Sequence, residues 1–391
     1  MHRFLADAAA GICKTVFKEH KVLDHELAAV FQANKKWGKR DRGFVAETVF
    51  EVVRWRRALG FLADSEEAVA LCAAQWVRMG YELPEWWRYK GVSAEEMTAR
   101  EASLADQPRA VRESIPDWLD ALGESELGDA WADEIRALNQ RARVYLRVNT
   151  LAGSLDETQE WLEANGVTTE LVPGVPDALV LEAGKVLPKP LRTEGRVEIQ
   201  DAGSQMIAPM LGAEEGERVI DACSGAGGKA LHLAALMGNT GRVYGMDVDG
   251  RKLGELERRA KRAKARCVVT KPIIESTPQD FREVGDRLLI DAPCSGLGTL
   301  KRQPDLKWRL KPAQLKRVQG IQKELLLTYP EMLKPGGTLV YATCSVLPSE
   351  NRAAVECLLE HGGFSLLEEL NVSPARFGFD GFYAAALRKD G

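Results

Sequence analysis

The chain lacks several features that would assign it quickly. No apolar run approaches the ~18 residues of a membrane span. Its seven cysteines include no C-x-x-C pair and its five histidines no H-E-x-x-H pair. With an odd cysteine count, neither a disulfide framework nor a zinc site is expected, and no metal. There is no internal repeat and no low-complexity tract. The N-terminus, Met1-His2-Arg3-Phe4-Leu5-Ala6-Asp7, meets an acid before an apolar core forms. It is therefore not read as a secretory signal, and a cytoplasmic location is expected. Nor is there an excess of charge of one sign. Lys and Arg number 53 against 57 Asp and Glu, a net of −4, which by itself argues against a nucleic-acid partner. What remains is a 391-residue chain, 45% apolar and 28% charged, ordinary for two or three globular domains of roughly 100–200 residues.

The net charge hides strong local differences. Residues 35–57 carry eight Lys/Arg against three acids, interleaved with Trp37, Phe44 and Trp55. Residues 251–266 carry eight against two, and residues 301–317 seven against one. Residues 94–134 hold twelve acids against three Arg and offset all three. Basic segments attract phosphates, and neighbouring aromatics can stack unpaired bases. For 251–266 a solvated helix face is an equal alternative. For 301–317 the RNA reading is favoured, because Lys301–Trp308 follows directly on a cysteine loop described below.

From about residue 5 to 138 the pattern is helical. Leu23, Leu27, Val30 and Phe31 recur at helical spacing, as do Phe44, Thr48, Val52 and Trp55. Residues 143–150 alternate like a strand, 155–164 form an amphipathic helix, and 168–172 and 178–182 are strand-like. This β-α-β-β order predicts a small α/β domain ending near 195. Beyond it strands and helices alternate. Predicted strands are 218–223, 242–248, 267–271, 287–291 and 338–343, with helices at 229–237, 250–265 and 313–333. The pattern implies a doubly wound parallel sheet with ligands at the carboxyl ends of its strands.

Val219–Lys229 runs from the first of these strands through a glycine-rich turn into a helix. Glycines let the backbone turn tightly and approach a ligand. Gly225-x-Gly227-x-x-Ala230 fits the dinucleotide fingerprint, and Asp247 ends the next strand, placed to bond ribose hydroxyls. Both a nicotinamide dinucleotide and S-adenosylmethionine present such a ribose. A turn serving packing alone is the weaker alternative.

Two cysteines stand just past strand ends, Cys294 in Asp291-Ala292-Pro293-Cys294-Ser295-Gly296 and Cys344 in Thr343-Cys344-Ser345. The other five are read as core or incidental, with Cys223 in the glycine loop a possible exception. Two thiols and a carboxylate beside a nucleoside cofactor suit methylation of cytosine C5. That carbon is a poor nucleophile until a thiolate adds at C6. An acid near N3 stabilises the ring charge, and a base must remove the C5 proton to expel the thiol. The residues alone do not say which thiol attacks.

At these motifs the sequence resembles the bacterial RNA cytosine-5 methyltransferases of the RsmB (Sun/Fmu) type, within the NOP/Sun family. The matching runs are Ile199–Gln205, the Asp221–Lys229 loop, Asp291–Gly296, Thr343-Cys344-Ser345 and Asp380-Gly381-Phe382-Tyr383. The resemblance implies a class I methyltransferase (Rossmann-like) domain over 196–391. It implies a NusB-like helical domain over 1–140 and an RNA-recognition-motif-like domain over 141–195, both associated with RNA. It makes Cys344 the nucleophile and Cys294 the aid to product release. Asp291 would contact the cytosine, supported by Lys229. Cys223, Ser224, Gly225, Ala226, Gly227, Gly228 and Lys229 would hold S-adenosylmethionine, with Asp247 on its ribose and Asp291 beside it. The implied partner is ribosomal RNA with an unpaired or flipped cytosine, met by a monomer.

The chain departs from the family pattern twice. Ala226 replaces the proline of the usual APGGK loop, and no Asp follows the third strand, where Val268–Glu275 offers only Glu275. Two other readings follow from these features: a nicotinamide-dependent dehydrogenase, from the glycine fingerprint, and a catalytically silent RNA-binding assembly factor on a methyltransferase scaffold.

Overall fold

The computed structural model describes residues 1–391. The chain divides into two compact units: Met1–Gln140 with Thr299–Lys311, and Arg141–Gly298 with Pro312–Gly391.

The first unit is all-helical. Helix Arg3–Glu19 buries Leu5, Ala9, Ile12, Cys13 and Val16, one stripe at helical spacing, and stops where His20 turns left-handed. Helix Lys39–Arg54 buries Val45, Val49, Val52 and Val53 against it. Helix Ala68–Arg78 completes this core, and its buried Trp76 donates from Nε1 to Thr48 Oγ1 at 3.0 Å. Residues 299–311, expected within the sheet domain, belong to this helical unit instead.

The second unit holds two sheets. The smaller comprises β1 (Tyr145–Val148), β2 (Thr169–Leu171), β3 (Ala178–Leu181) and β4 (Val197–Ile199), all antiparallel, in the order β2-β3-β1-β4. Helix Leu155–Ala164 starts on a capping box, Ser154 with Glu157, within this sequence. The larger sheet comprises β5 (Arg218–Asp221), β6 (Arg242–Asp247), β7 (Val268–Pro272), β8 (Gly285–Asp291), β9 (Leu333–Thr343), β10 (Phe364–Val372) and β11 (Phe382–Lys389). Its order is β10-β11-β9-β8-β5-β6-β7. Strands β5 to β9 are parallel, as expected. The chain then adds an antiparallel hairpin, β10–β11, on the β9 edge, which the alternating pattern did not predict. The central strands are apolar runs buried on both faces, as Leu288, Leu289 and Ile290 of β8 illustrate.

Strand β5 opens the parallel sheet, and the chain leaves it toward β6 on one side and returns as β8 on the other. Reversal at this point opens a crevice at the carboxyl ends of β5 and β8, where doubly wound sheets bind ligands.

Candidate active site

The glycine loop follows β5 into helix Gly228–Leu236. Gly227 has φ +86°, and a Cβ there would lie 2.0 Å from Leu256 Cδ1, so both backbone and space demand glycine. Arg259 donates to the Ala226 carbonyl at 2.7 Å, holding the loop from outside where the usual proline is missing. Asp247, at the end of β6, is nearly buried. Its Oδ2 accepts from the Gly225 amide at 3.0 Å and its Oδ1 from the Asp249 amide at 2.8 Å. These bonds aim one carboxylate at the loop's ligand face. Glu275, the candidate substitute for the absent third-strand Asp, is exposed.

Strands β8 and β9 pair Asp291 with Ala342, which brings their two loops side by side. The Cys294 and Cys344 sulfurs lie 3.3 Å apart. Gly298 makes the approach possible: its amide donates to the Cys344 carbonyl at 2.9 Å, and a Cβ there would sit 2.0 Å from the Gly381 carbonyl oxygen. Lys229 donates from Nζ to Asp291 Oδ2 at 2.6 Å, with Nζ 5.8 Å from the centre of the Phe382 ring. Burial works against the Lys229 ammonium, but the charge and hydrogen bond of Asp291 outweigh it, so its pKa is raised. Cys294 is also raised well above the ordinary thiol range. Its hydrogen bond with Cys344 is the largest cause, then burial, then the negative charge of Cys344 and Glu350. The structure thus brings Lys229, Asp291, Cys294 and Cys344 into two adjoining pairs. Cys223 follows β5 half-buried, with its pKa raised by burial. All seven cysteines are free, and Cys13, Cys72 and Cys267 are core residues.

Sequence reasoning passed over Asp221. It is completely buried at the end of β5, and neither carboxylate oxygen has a hydrogen-bond partner. Burial, then repulsion from Asp291, raises its pKa to about 7, with Lys229 opposing. This position was visible as the first residue of the loop motif, but nothing local marked it as unpaired.

Two carboxylates, Asp247 and Asp291, stand beside the loop, Asp291 paired with Lys229, while the buried Asp221 behind them is raised to a pKa of about 7. That environment fits a nucleoside carrying a sulfonium and an ammonium, as S-adenosylmethionine does. It is unfavourable to a dinucleotide, whose pyrophosphate is anionic.

Comparison with known proteins decides the family. Residues 208–388 match the family model described as 16S rRNA methyltransferase RsmB/F, and residues 115–186 match the ferredoxin-like domain of RsmF/B-like methyltransferases. The ribosomal RNA small subunit methyltransferase B of Sodalis glossinidius is 32% identical over 317 residues, 77% of this chain and 72% of that protein. The chain belongs to the RsmB/F methyltransferase family. A probable ribosomal RNA small subunit methyltransferase B of Synechocystis is 37% identical over 256 residues, 63% of this chain and 56% of that protein. A solved structure of a methyltransferase homolog protein from Pyrococcus horikoshii is 27% identical with a TM-score of 0.65, covering 73% of this chain and 99% of that one. As in that family, the cleft is built for S-adenosylmethionine, which the glycine loop, Asp247 and the acidic surroundings fit. No helix of the chain is long and apolar enough to cross a membrane.

The charged segments look different in three dimensions. Lys301 and Lys307, expected to face RNA, are buried within the helical unit, and Lys307 is 0% exposed. Lys311, Lys316 and Arg317 are exposed. In 251–266, Arg259 and Arg262 pair with the buried Glu198, while Lys261, Lys264 and Arg266 are exposed. In 35–57, Lys35, Lys36, Lys39 and Arg40 are exposed beside half-buried Trp37, whereas Arg54 is buried.

Proposed function

We propose that this chain is an S-adenosylmethionine-dependent RNA methyltransferase that methylates C5 of a cytosine in ribosomal RNA through a covalent adduct on Cys344. The observation that carries this reading is the pair of thiols 3.3 Å apart, adjoining the Lys229–Asp291 pair at the carboxyl ends of neighbouring strands. A dehydrogenase has no use for two such thiols.

The residues divide the work by their surroundings. The hydrogen bond with Cys344 and burial raise the Cys294 pKa, so Cys294 gives up its proton less readily and Cys344 is assigned as the nucleophile. Cys344 bonds to C6 of a flipped cytosine, and the electron pair displaced onto the ring makes C5 nucleophilic. Bound S-adenosylmethionine supplies the methyl group that C5 takes up. Asp291, pinned by Lys229, stabilises the charge developing on the ring. A base then removes the C5 proton, the C6–S bond breaks with its electrons returning to Cys344, and Cys294 assists that release. The loop residues Cys223 to Gly228 and Asp247 hold the methyl donor. The domains expected over 1–140 and 141–195 serve to engage RNA. The exposed Lys35, Lys36, Lys39 and Arg40 beside Trp37 are the part of the helical unit best suited to phosphates and an unpaired base.

The test is methyl transfer to ribosomal RNA read by bisulfite sequencing, with two variants. Cys344→Ala is expected to lower transfer by about 10³-fold or more while the affinity for S-adenosylmethionine stays within about threefold. Cys294→Ala is expected to accumulate an RNA–protein complex that survives denaturation. Full activity of Cys344→Ala overturns the nucleophile assignment, and absence of the trapped complex overturns the two-thiol mechanism.

A further inference from the structure

Glu350 lies six residues after Cys344 and is 0% exposed. Its carboxylate collects four hydrogen bonds, none from a cation. Oε1 accepts from the Ser295 amide at 2.7 Å and from Gln322 Nε2 at 3.1 Å. Oε2 accepts from the Ser295 hydroxyl and the Ser345 hydroxyl, each at 2.5 Å. Ser295 directly follows Cys294, and Ser345 directly follows Cys344. Gln322 also donates to the carbonyl of Pro293, the residue before Cys294, at 3.0 Å. Behind the carboxylate, the Glu350 carbonyl accepts from the Tyr341 hydroxyl at 2.7 Å. Asn351 donates to the Ser345 carbonyl at 3.0 Å and accepts from Thr343 Oγ1 at 2.5 Å.

Burying an uncompensated anion is costly, and tethering one loop would need only a neutral acceptor. A carboxylate, with about four lone-pair sites, is the side chain able to take donors from two loops at once. We propose that Glu350 is the positioning residue of the thiol pair: one buried carboxylate ties the residue after Cys294 to the residue after Cys344, and so fixes the separation of the two sulfurs. The inference rests on the two-thiol reading above for its catalytic consequence, but not for its geometry. The charge of Glu350 also helps Cys294 keep its proton, which favours the same division of labour between the thiols.

Geometry and catalysis can be measured separately on the full-length protein. Diamide is expected to oxidise the wild type to a Cys294–Cys344 disulfide, identified by peptide mapping, because sulfurs 3.3 Å apart need little movement to reach the ~2.05 Å bond. Glu350→Gln places an amide NH₂ among four donors. It is expected to slow that oxidation by about tenfold and to lower kcat by about 100-fold, with KM for RNA and for S-adenosylmethionine within about threefold. Ser345→Ala removes one of the four bonds and is expected to shift both readouts the same way by a smaller factor. A merely structural role would lower the unfolding temperature without changing the oxidation rate of the folded fraction. Wild-type oxidation rate and kcat in Glu350→Gln overturn the proposal. If that variant does not fold, Ser345→Ala and Ser295→Ala decide, and unchanged oxidation rates in both overturn it. Failure of the two-thiol mechanism is recognised separately, by full methylation in Cys344→Ala.

Discussion

Asp221 shows how one side chain links the site to stability. Its carboxylate is buried without a donor, and its pKa stands at about 7 against an ordinary 3.8. Below pH 3.8 the folded and unfolded chains both hold the proton. Between 3.8 and about 7 only the folded chain holds it, so stability falls as pH rises, and above about 7 the loss is complete. Its size is a few kcal/mol, since each pKa unit corresponds to about 1.4 kcal/mol. Asp221→Asn removes the penalty. In the ligand-free protein it is expected to raise the unfolding temperature at pH 8 by roughly 5–10 °C more than at pH 4.5, measured by calorimetry. An equal shift at both values would show that Asp221 is not the titrating group. Sequence reading singled out Cys294, Cys344 and Asp291, which the structure places close together, because thiols and acids at strand ends are chemically conspicuous. It passed over Asp221 and Glu350, whose roles come from burial and missing or shared partners. Those are properties of the fold, with no local signature.

Among the elements, the glycine loop and the helix Gly250–Ala263 are made for each other. Leu256 of that helix is fully buried and fills the space that side chains at Gly227 and Gly245 would need. Gly227→Ala meets two obstacles, the +86° φ and the 2.0 Å approach to Leu256. We expect it to destabilise the protein by about 2–4 kcal/mol and to weaken S-adenosylmethionine binding by at least about tenfold, by thermal unfolding and calorimetric titration. Adding Leu256→Ala relieves the clash but not the backbone strain and leaves a core cavity of its own, so part of the S-adenosylmethionine affinity should return but not the stability. The loop and the parallel strands were legible because apolar runs, glycines and helical stretches alternate without interruption from 218 to 343. Strand β11 was reached only through the resemblance, which makes Asp380–Tyr383 a closing strand, and β10 was not reached at all. Strand β10 is an edge strand with Glu368 and Glu369 at its middle and most residues partly exposed, so it lacks the apolar run that marked its neighbours.

For the whole molecule, the informative segment is 299–311. Its basic residues read locally as a solvated, phosphate-facing run. In the structure the segment is part of the helical unit, and its polar groups are committed there. Lys307 donates to the Arg54 carbonyl at 2.7 Å and to Asn139 Oδ1 at 2.9 Å, and burial lowers its pKa well below the ordinary lysine range. Trp308 donates to the Val53 carbonyl at 2.7 Å, Arg54 donates to the Lys301 carbonyl at 3.1 Å, and Asp305 accepts from the Leu23 amide at 3.3 Å. Only long-range pairing hides these charges, which is why composition could not separate them from truly exposed ones such as Lys35 and Lys36. The consequence is that residues 1–140 are an incomplete unit. At about 1 kcal/mol net per hydrogen bond, more where a charged group takes part, the five bonds sum to roughly 5 kcal/mol or more. A fragment of residues 1–140 is therefore expected to stay helical but unfold at lower temperature and less cooperatively by circular dichroism. A peptide of residues 299–311 added in trans should raise its midpoint, and the same peptide with Lys307→Ala and Trp308→Ala should not. A fragment unaffected by either peptide would mean the helical unit holds its core without the segment.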